Sequence, residues 1–358
     1  MVALLAAAGC VLPAAPAQAD RIRDAQWHLK FLNVGEAHTI TQGAGVTVAV
    51  VDTGVDATHP DLIRNILPGG DLTPGRTDGR RDLIGHGTAM AGLVAGHGRG
   101  VNGILGIAPQ AKILPVIVAT GGSDVGGLYI EGGIRWAVLH GARVICTAFN
   151  SFDSPDTIRE IQFALNNDVV IVGGVGNLPA DTEVIYPAAY PGVLAAAGVD
   201  QASNHAATST TGEQVVIAAP AVDVPATWLD HEYRTSTGTS NAAAITAGAA
   251  ALVRAKYPNL SAREVVHRLT ATADDKGPPG RDPEYGYGVL NLVKALTADV
   301  PPATPSPSPT AAQATTSPAA SAQPDRPDTT TAIFIGIALL LLLTGAGAAT
   351  YLLHRARR

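Results

Sequence analysis

Four polar positions stand out in a chain that is otherwise apolar and built from small residues. They are Asp52 in Asp52-Thr53-Gly54-Val55-Asp56, His86 in Gly85-His86-Gly87-Thr88-Ala89, Asn177 in Gly173-Gly174-Val175-Gly176-Asn177, and Ser240 in Gly238-Thr239-Ser240-Asn241-Ala242. A serine hydroxyl is a weak nucleophile at neutral pH and needs a base to take its proton. A histidine acting as that base needs a carboxylate to fix its tautomer and to stabilise the imidazolium. The oxyanion of acyl transfer needs N–H donors, available from the Asn177 amide and the Ser240 backbone. Singly, each residue has a plainer reading: Asp52 is a turn former and Ser240 a helix N-cap. A histidine between two glycines is sterically open, which a core histidine would not need. Together, in the order Asp, His, Asn, Ser, they form a set suited to attack on a carbonyl.

Such a set must be positioned by rigid elements. The runs Val46–Val51, Ile113–Val118, Ala142–Ile145, Val169–Val172 and Val193–Ala197 are short, apolar and rich in β-branched residues, as strands buried on both faces are. Between them lie helix-length segments, Gly87–Ala95, Val125–His140, Thr157–Asn166 and the Ala-rich Ala242–Tyr257. Strand and helix alternating in this way predict an α/β fold, a mostly parallel sheet with helices on both faces. In such sheets sites form outside the carboxyl ends of the strands. Asp52 ends the first run, and the glycines before Asn177 follow the fourth.

Composition narrows the function. The chain has 358 residues, of which 46% are hydrophobic but only 4% aromatic, with 39 Gly, 15% charged residues and a net charge of −6. The core is therefore made of small aliphatics. Without a basic block in the folded part, nucleic acid is not an expected partner. Two cysteines, Cys10 and Cys146, make no disulfide framework, and Val144 and Ile145 beside Cys146 suggest a small core residue.

The two ends suggest export and anchoring. Residues 1–19 are apolar and close on Ala17-Gln18-Ala19, the pattern of a signal peptide cleaved before Asp20, although Cys10 after Ala7-Ala8-Gly9 allows a lipidation reading. The folded domain is expected over residues 20–298. Residues 299–331 are rich in Pro, Ala, Ser and Thr and read as an extended linker. Residues 332–353 form a stretch of 22 without a charge, about 33 Å as a helix, long enough to span a bilayer. The basic tail at 354–358 is expected on the cytoplasmic side, leaving the domain outside.

Asp52-Thr53-Gly54, Gly85-His86-Gly87-Thr88, Gly176-Asn177 and Gly238-Thr239-Ser240 resemble the four signatures of the subtilisin-like serine proteases, the subtilases of peptidase family S8. His59-Pro60-Asp61-Leu62, Gly106-Ile107-Ala108-Pro109, Tyr186–Pro191 and Gly286-Tyr287-Gly288-Val289 are similar to further subtilase stretches. The start at Arg23-Asp24-Ala25-Gln26-Trp27-His28-Leu29, with the signal peptide, linker and membrane helix, resembles the mycosins. These are membrane-anchored subtilases attached to actinobacterial type VII secretion systems. The resemblance implies a three-layer subtilisin-like fold, a triad of Asp52, His86 and Ser240, and an oxyanion hole of Asn177 with Ser240. It further implies a substrate groove along Thr147, Ala148, Phe149, Gly173, Gly174 and Val175, with no cofactor. The implied partners are secreted type VII proteins as substrates, the type VII membrane complex, and the bilayer itself. The rival reading is a structural subunit of that complex with little turnover. The sequence departs from the family in three places: Ala244 where subtilases carry Pro, Cys146–Ser151 in place of the usual Asn-x-Ser-Leu-Gly strand, with bulky Phe149, and no recognisable calcium loops. Asp56, Asp61 and Asp71 read as turn and surface carboxylates, so no metal is expected, and the scattered histidines His59, His97, His205, His231 and His267 read as structural or exposed.

Overall fold

Strands without a polar face must be covered on both sides, and here they are. The computed structural model describes residues 19–100, 102–120 and 129–302. Its strands are β1 (Thr47–Asp52), β2 (Gly70–Asp71), β3 (His97–Arg99), β4 (Asn102–Leu105), β5 (Lys112–Ile117), β6 (Val144–Thr147), β7 (Val170–Gly174), β8 (Leu194–Val199), β9 (Ile217–Pro220), β10 (Val224–Thr227) and β11 (Tyr233–Ser236). Its helices are α1 (Ala19–Ala25), α2 (Trp27–Phe31), α3 (Val34–Ile40), α4 (His86–Ala95), α5 (Ile130–Leu139), α6 (Pro155–Asn166), α7 (Thr239–Lys256), α8 (Ala262–Ala271) and α9 (Leu292–Thr297). The expected leader up to residue 18, the linker beyond Pro302, the membrane helix and the basic tail lie outside the described residues. Among the described residues no helix is long and apolar enough to cross a membrane.

Seven strands form one sheet in the order β2-β5-β1-β6-β7-β8-β9, with every pairing parallel. Strand side chains alternate between faces, so β1 serves two cores at once. Val48 and Val50 pack with Cys146, Val172 and Ala196 beneath α4 and α7. Ala49 and Val51 pack with Ile145, Ile171, Leu114 and Val116 beneath α5 and α6. Strand order reverses at β1, with later strands added on both of its sides, and crevices at the carboxyl ends of strands open at such switch points.

Helix α7 explains the shortage of aromatic residues. It is buried from Asn241 through Arg254, and it packs on β6, β7, β8, β9 and α4 at once. Only a helix with small side chains nearly all round approaches four strands and another helix together. Gly248 is an extreme case, because a Cβ there would sit 2.6 Å from the Ile107 side chain. At the other end of the chain, Gln26 clasps Leu105 in both directions (2.9 Å each) and the Trp27 indole donates to Val222 O at 3.1 Å. The Arg23–Leu29 stretch is thus docked on the domain.

Candidate active site

Asp52 closes β1 and is fully buried. One oxygen accepts the Thr53 N–H at 2.8 Å, and both oxygens stand 2.9 Å from His86 Nδ1. His86 is the first residue of α4. The glycines on either side of it were expected to clear space around the ring; instead they make room for neighbours. Gly85 takes φ 99°, and a Cβ there would lie 2.5 Å from the Trp228 ring. A Cβ on Gly87 would lie 2.1 Å from the Gly54 carbonyl, so only glycine lets the first turn of α4 press onto the loop leaving β1. That approach is what brings the imidazole to the carboxylate. Burial pushes the His86 pKa down, but the charge and hydrogen bond of Asp52, with the charge of Asp82, outweigh it and hold it above the ordinary 6.5.

The serine was expected as a helix cap. The helix begins one residue earlier, at Thr239, and the residue before it is Gly238, which has no side chain to cap with. Asn177 caps in its place: its Oδ1 accepts the Thr239 N–H at 2.9 Å. Ser240 therefore sits inside the first turn with its hydroxyl unspent on capping, and the Asn177 NH2 takes no part in the cap and is left as a donor. A Cβ on Gly238 would meet Ser240 Oγ at 3.3 Å and Asn177 Oδ1 at 3.5 Å. The Ser240 hydroxyl and the Asn177 side chain thus both border the space that Gly238 leaves open. Ala244 is buried and α7 runs unbroken through it, so the missing proline leaves this turn intact.

Helices α4 and α7 pack together with His86 and Ser240 in their first turns. No hydrogen bond joins His86 to Ser240 in this state. Such contacts commonly tighten only when substrate binds. The Phe149 ring meets His86 edge to face, with centroids 5.9 Å apart at 87°.

The residues expected along the groove separate into two groups. Ala148 and Phe149 are half-buried. Thr147 is buried and its hydroxyl donates to Val172 O at 3.1 Å, and Val175 is buried in a third apolar cluster, so neither side chain reaches a groove. Gly173 and Gly174 admit protein: Cβ atoms there would meet Ala188 at 3.2 Å and Thr239 O at 2.9 Å. The sequence reading also missed supporting residues. Asp181 accepts the Asn177 N–H at 2.7 Å and fixes that donor's backbone, and Asp82 anchors the turn before His86. Each is a turn carboxylate whose partners are mostly backbone N–H groups, which leave no sequence pattern.

Cys146 is buried in β6, opposite Val50, and burial beside Asp52 raises its pKa far above the ordinary thiol value. A thiol held protonated in this way is a core residue and no competing nucleophile. Asp56 and Asp71 do form turns, bonding Thr58 and Thr73. Asp61 is corrected from a surface carboxylate to a fully buried one, which accepts from Ile104 N–H and Tyr233 OH at 2.8 Å each and faces Arg99. Its burial follows from docking of the β3–β4 hairpin over the loop that carries it. Among the described residues no cluster of three or more His, Cys, Asp or Glu side chains is arranged to hold a metal ion.

A buried carboxylate on an imidazole and a serine in the first turn of a neighbouring helix, on this sheet, define the class of subtilisin-type serine endopeptidases. The profile of the subtilase family matches residues 43–288, and the chain belongs to that family. It is 34% identical over 271 residues to the thermostable alkaline protease of Halalkalibacterium halodurans, covering 75% of this chain and 73% of that one. It is 33% identical over 340 residues to Mycosin-1 of Mycobacterium tuberculosis, covering 79% and 75%. Among solved structures it resembles the MycP3 protease from the type VII (ESX-3) secretion system, with TM-score 0.67 and 31% identity, covering 76% of this chain and 88% of that one.

Proposed function

We propose that this protease is an exported, membrane-tethered endopeptidase of a type VII secretion machine, with Asp52, His86 and Ser240 as its triad. The observation that carries the triad is the buried Asp52 carboxylate, 2.9 Å from His86 Nδ1 through either oxygen. Nδ1 is thereby the protonated nitrogen, and Nε2 is left as the base.

Ser240 Oγ adds to the peptide carbonyl carbon while its proton passes to His86 Nε2. The carbonyl oxygen, now an anion, takes hydrogen bonds from the Asn177 NH2 and the Ser240 N–H. As the C–N bond breaks, His86 returns the proton to the leaving amine. Water then repeats the sequence on the acyl-serine, releasing the acid and restoring Ser240. Asn177→Ala is expected to lower kcat by roughly 10²–10³-fold with KM little changed, the size seen when a subtilisin loses its oxyanion amide. Steady-state kinetics on a fluorogenic peptide would check it. Because Asn177 also caps α7, a melting curve run beside the assay separates lost catalysis from lost fold.

The secretion role is supported by likeness to Mycosin-1 and the MycP3 protease, and by the leader, linker and apolar stretch read from the sequence. The substrate would be a secreted type VII protein, cut in an extended conformation. The test compares a deletion strain with one carrying Ser240→Ala. Processing of a secreted protein lost in both places it downstream of cleavage. Secretion lost in the deletion but normal, with uncut substrates absent, in Ser240→Ala would overturn the processing role and favour a structural subunit.

A further inference from the structure

We propose that Asp82 is a second carboxylate of the site: a positioning residue that fixes the start of α4 and places a negative charge beside the His86 imidazole. This rests on the reading of His86 as the base.

Asp82 is 7% exposed, yet among the described residues no cation forms an ion pair with it. Its oxygens accept four hydrogen bonds instead. Oδ1 takes Ile84 N–H and Gly85 N–H at 2.9 Å each, and Oδ2 takes Thr88 N–H at 3.0 Å and the Thr88 hydroxyl at 2.7 Å. A carboxylate offers about four acceptor sites, and all are filled. These donors bracket His86 on both sides. Gly85, the residue before the helix, has no side chain to cap it, so Asp82 supplies the cap from three residues further back. The Thr88 hydroxyl also accepts Asp56 N–H at 2.9 Å, and Gly87 N–H donates to Thr53 Oγ1 at 3.0 Å. The turn carrying the base is thereby tied to the loop that follows Asp52.

An acid held only by neutral donors on Ile84, Gly85 and Thr88 sits against the turn that carries His86, without an ion-pair partner of its own among the described residues. The imidazole meets Asp52 from β1, and from the segment after β6 the uncharged Phe149. Asp82 also borders an open cleft that Asp56, Arg80, Arg81, Asp230 and His231 line with it, where water screens these neighbours. Asp82 therefore works with Asp52, stabilising the imidazolium formed when Ser240 gives up its proton.

The test titrates His86 by NMR in the histidine-labelled full chain, in a Ser240→Ala background, with and without Asp82→Asn or Asp82→Ser. Loss of the charge is expected to move the His86 midpoint to lower pH, and the acid limb of kcat/KM in the Ser240 enzyme should move with it. Thr88→Val, which keeps the charge and removes the hydroxyl's two hydrogen bonds, to Asp82 and from the Asp56 N–H, is expected to cut kcat/KM by about 10–100-fold with the midpoint unmoved. An unchanged midpoint in a folded neutral variant would overturn the electrostatic half. Wild-type kcat/KM in Thr88→Val would overturn the positioning half, even if neither neutral variant folds. The NMR midpoint needs no turnover, so a chain that proved inactive would contradict the protease triad without touching this result.

Discussion

Ser240→Ala is expected to reduce peptide cleavage by about 10⁶-fold, the loss seen when a subtilisin is deprived of its serine or its histidine. His86→Ala should cost about as much, and the double variant no more than either single one. In the proposed mechanism nucleophile and base act as a unit: without His86 the Ser240 proton would have no acceptor, and without Ser240 the base would have nothing to activate. Residual catalysis would come from the Asn177 and Ser240 N–H donors, which both changes leave in place. Stability should hardly alter, because Ser240 is only half-buried and Asn177 caps the helix in its stead. Cleavage of a fluorescent protein substrate, with circular-dichroism melting of each variant, checks both statements. Losses that multiply in the double variant would show that the two residues act independently.

Asp52→Asn is expected to cost about 10⁴-fold, for two separable reasons. An amide in place of the carboxylate presents an NH2 to the ring and favours the tautomer with its proton on the wrong nitrogen. It also removes the charge that stabilises the imidazolium. The second effect has a definite sign in pH. The His86 pKa lies above the ordinary 6.5, so with His86 as the proposed base the wild-type enzyme is expected to lose activity as pH falls through that raised value. The variant, lacking the charge, should hold its smaller activity to lower pH. For stability the direction is reversed: a raised histidine pKa favours the folded state most fully below 6.5, and that contribution disappears as pH rises through the folded value. A pH profile of kcat/KM for both proteins, with Tm followed over the same range, reads all of this. An acid limb at the same pH in Asp52→Asn would mean that Asp52 does not set the charge state of His86.

Much of this was visible in the order of residues because apolar periodicity and glycine punctuation are local. Val48-Ala49-Val50-Val51 has no polar face and is an interior strand of the sheet, and the Ala-rich run after Gly238 is the buried helix α7. Asp52 at the end of its strand and His86 at the start of its helix follow from where those patterns stop. Contacts that join distant segments left no such trace. The Asn177 cap on Thr239 spans 62 residues, and it decides that Ser240 lies within the first turn instead of before it. Gly87 reads as clearance in one dimension and as close contact with Gly54 in three. The groove was the least legible part: Thr147 ends a strand and Val175 follows one, where the apolar clusters around the sheet set which side is covered, and both residues are buried.

The central claim is that base, nucleophile and oxyanion donors are assembled in the folded chain. It is tested most directly by treating the purified protein with a serine-reactive fluorophosphonate and locating the adduct by peptide mass. An adduct on Ser240, abolished in folded His86→Ala, is the expected result, since phosphonylation needs the same base and the same anion-binding donors as peptide attack. A folded, unlabelled wild-type protein, or a label that survives the loss of His86, would contradict the triad.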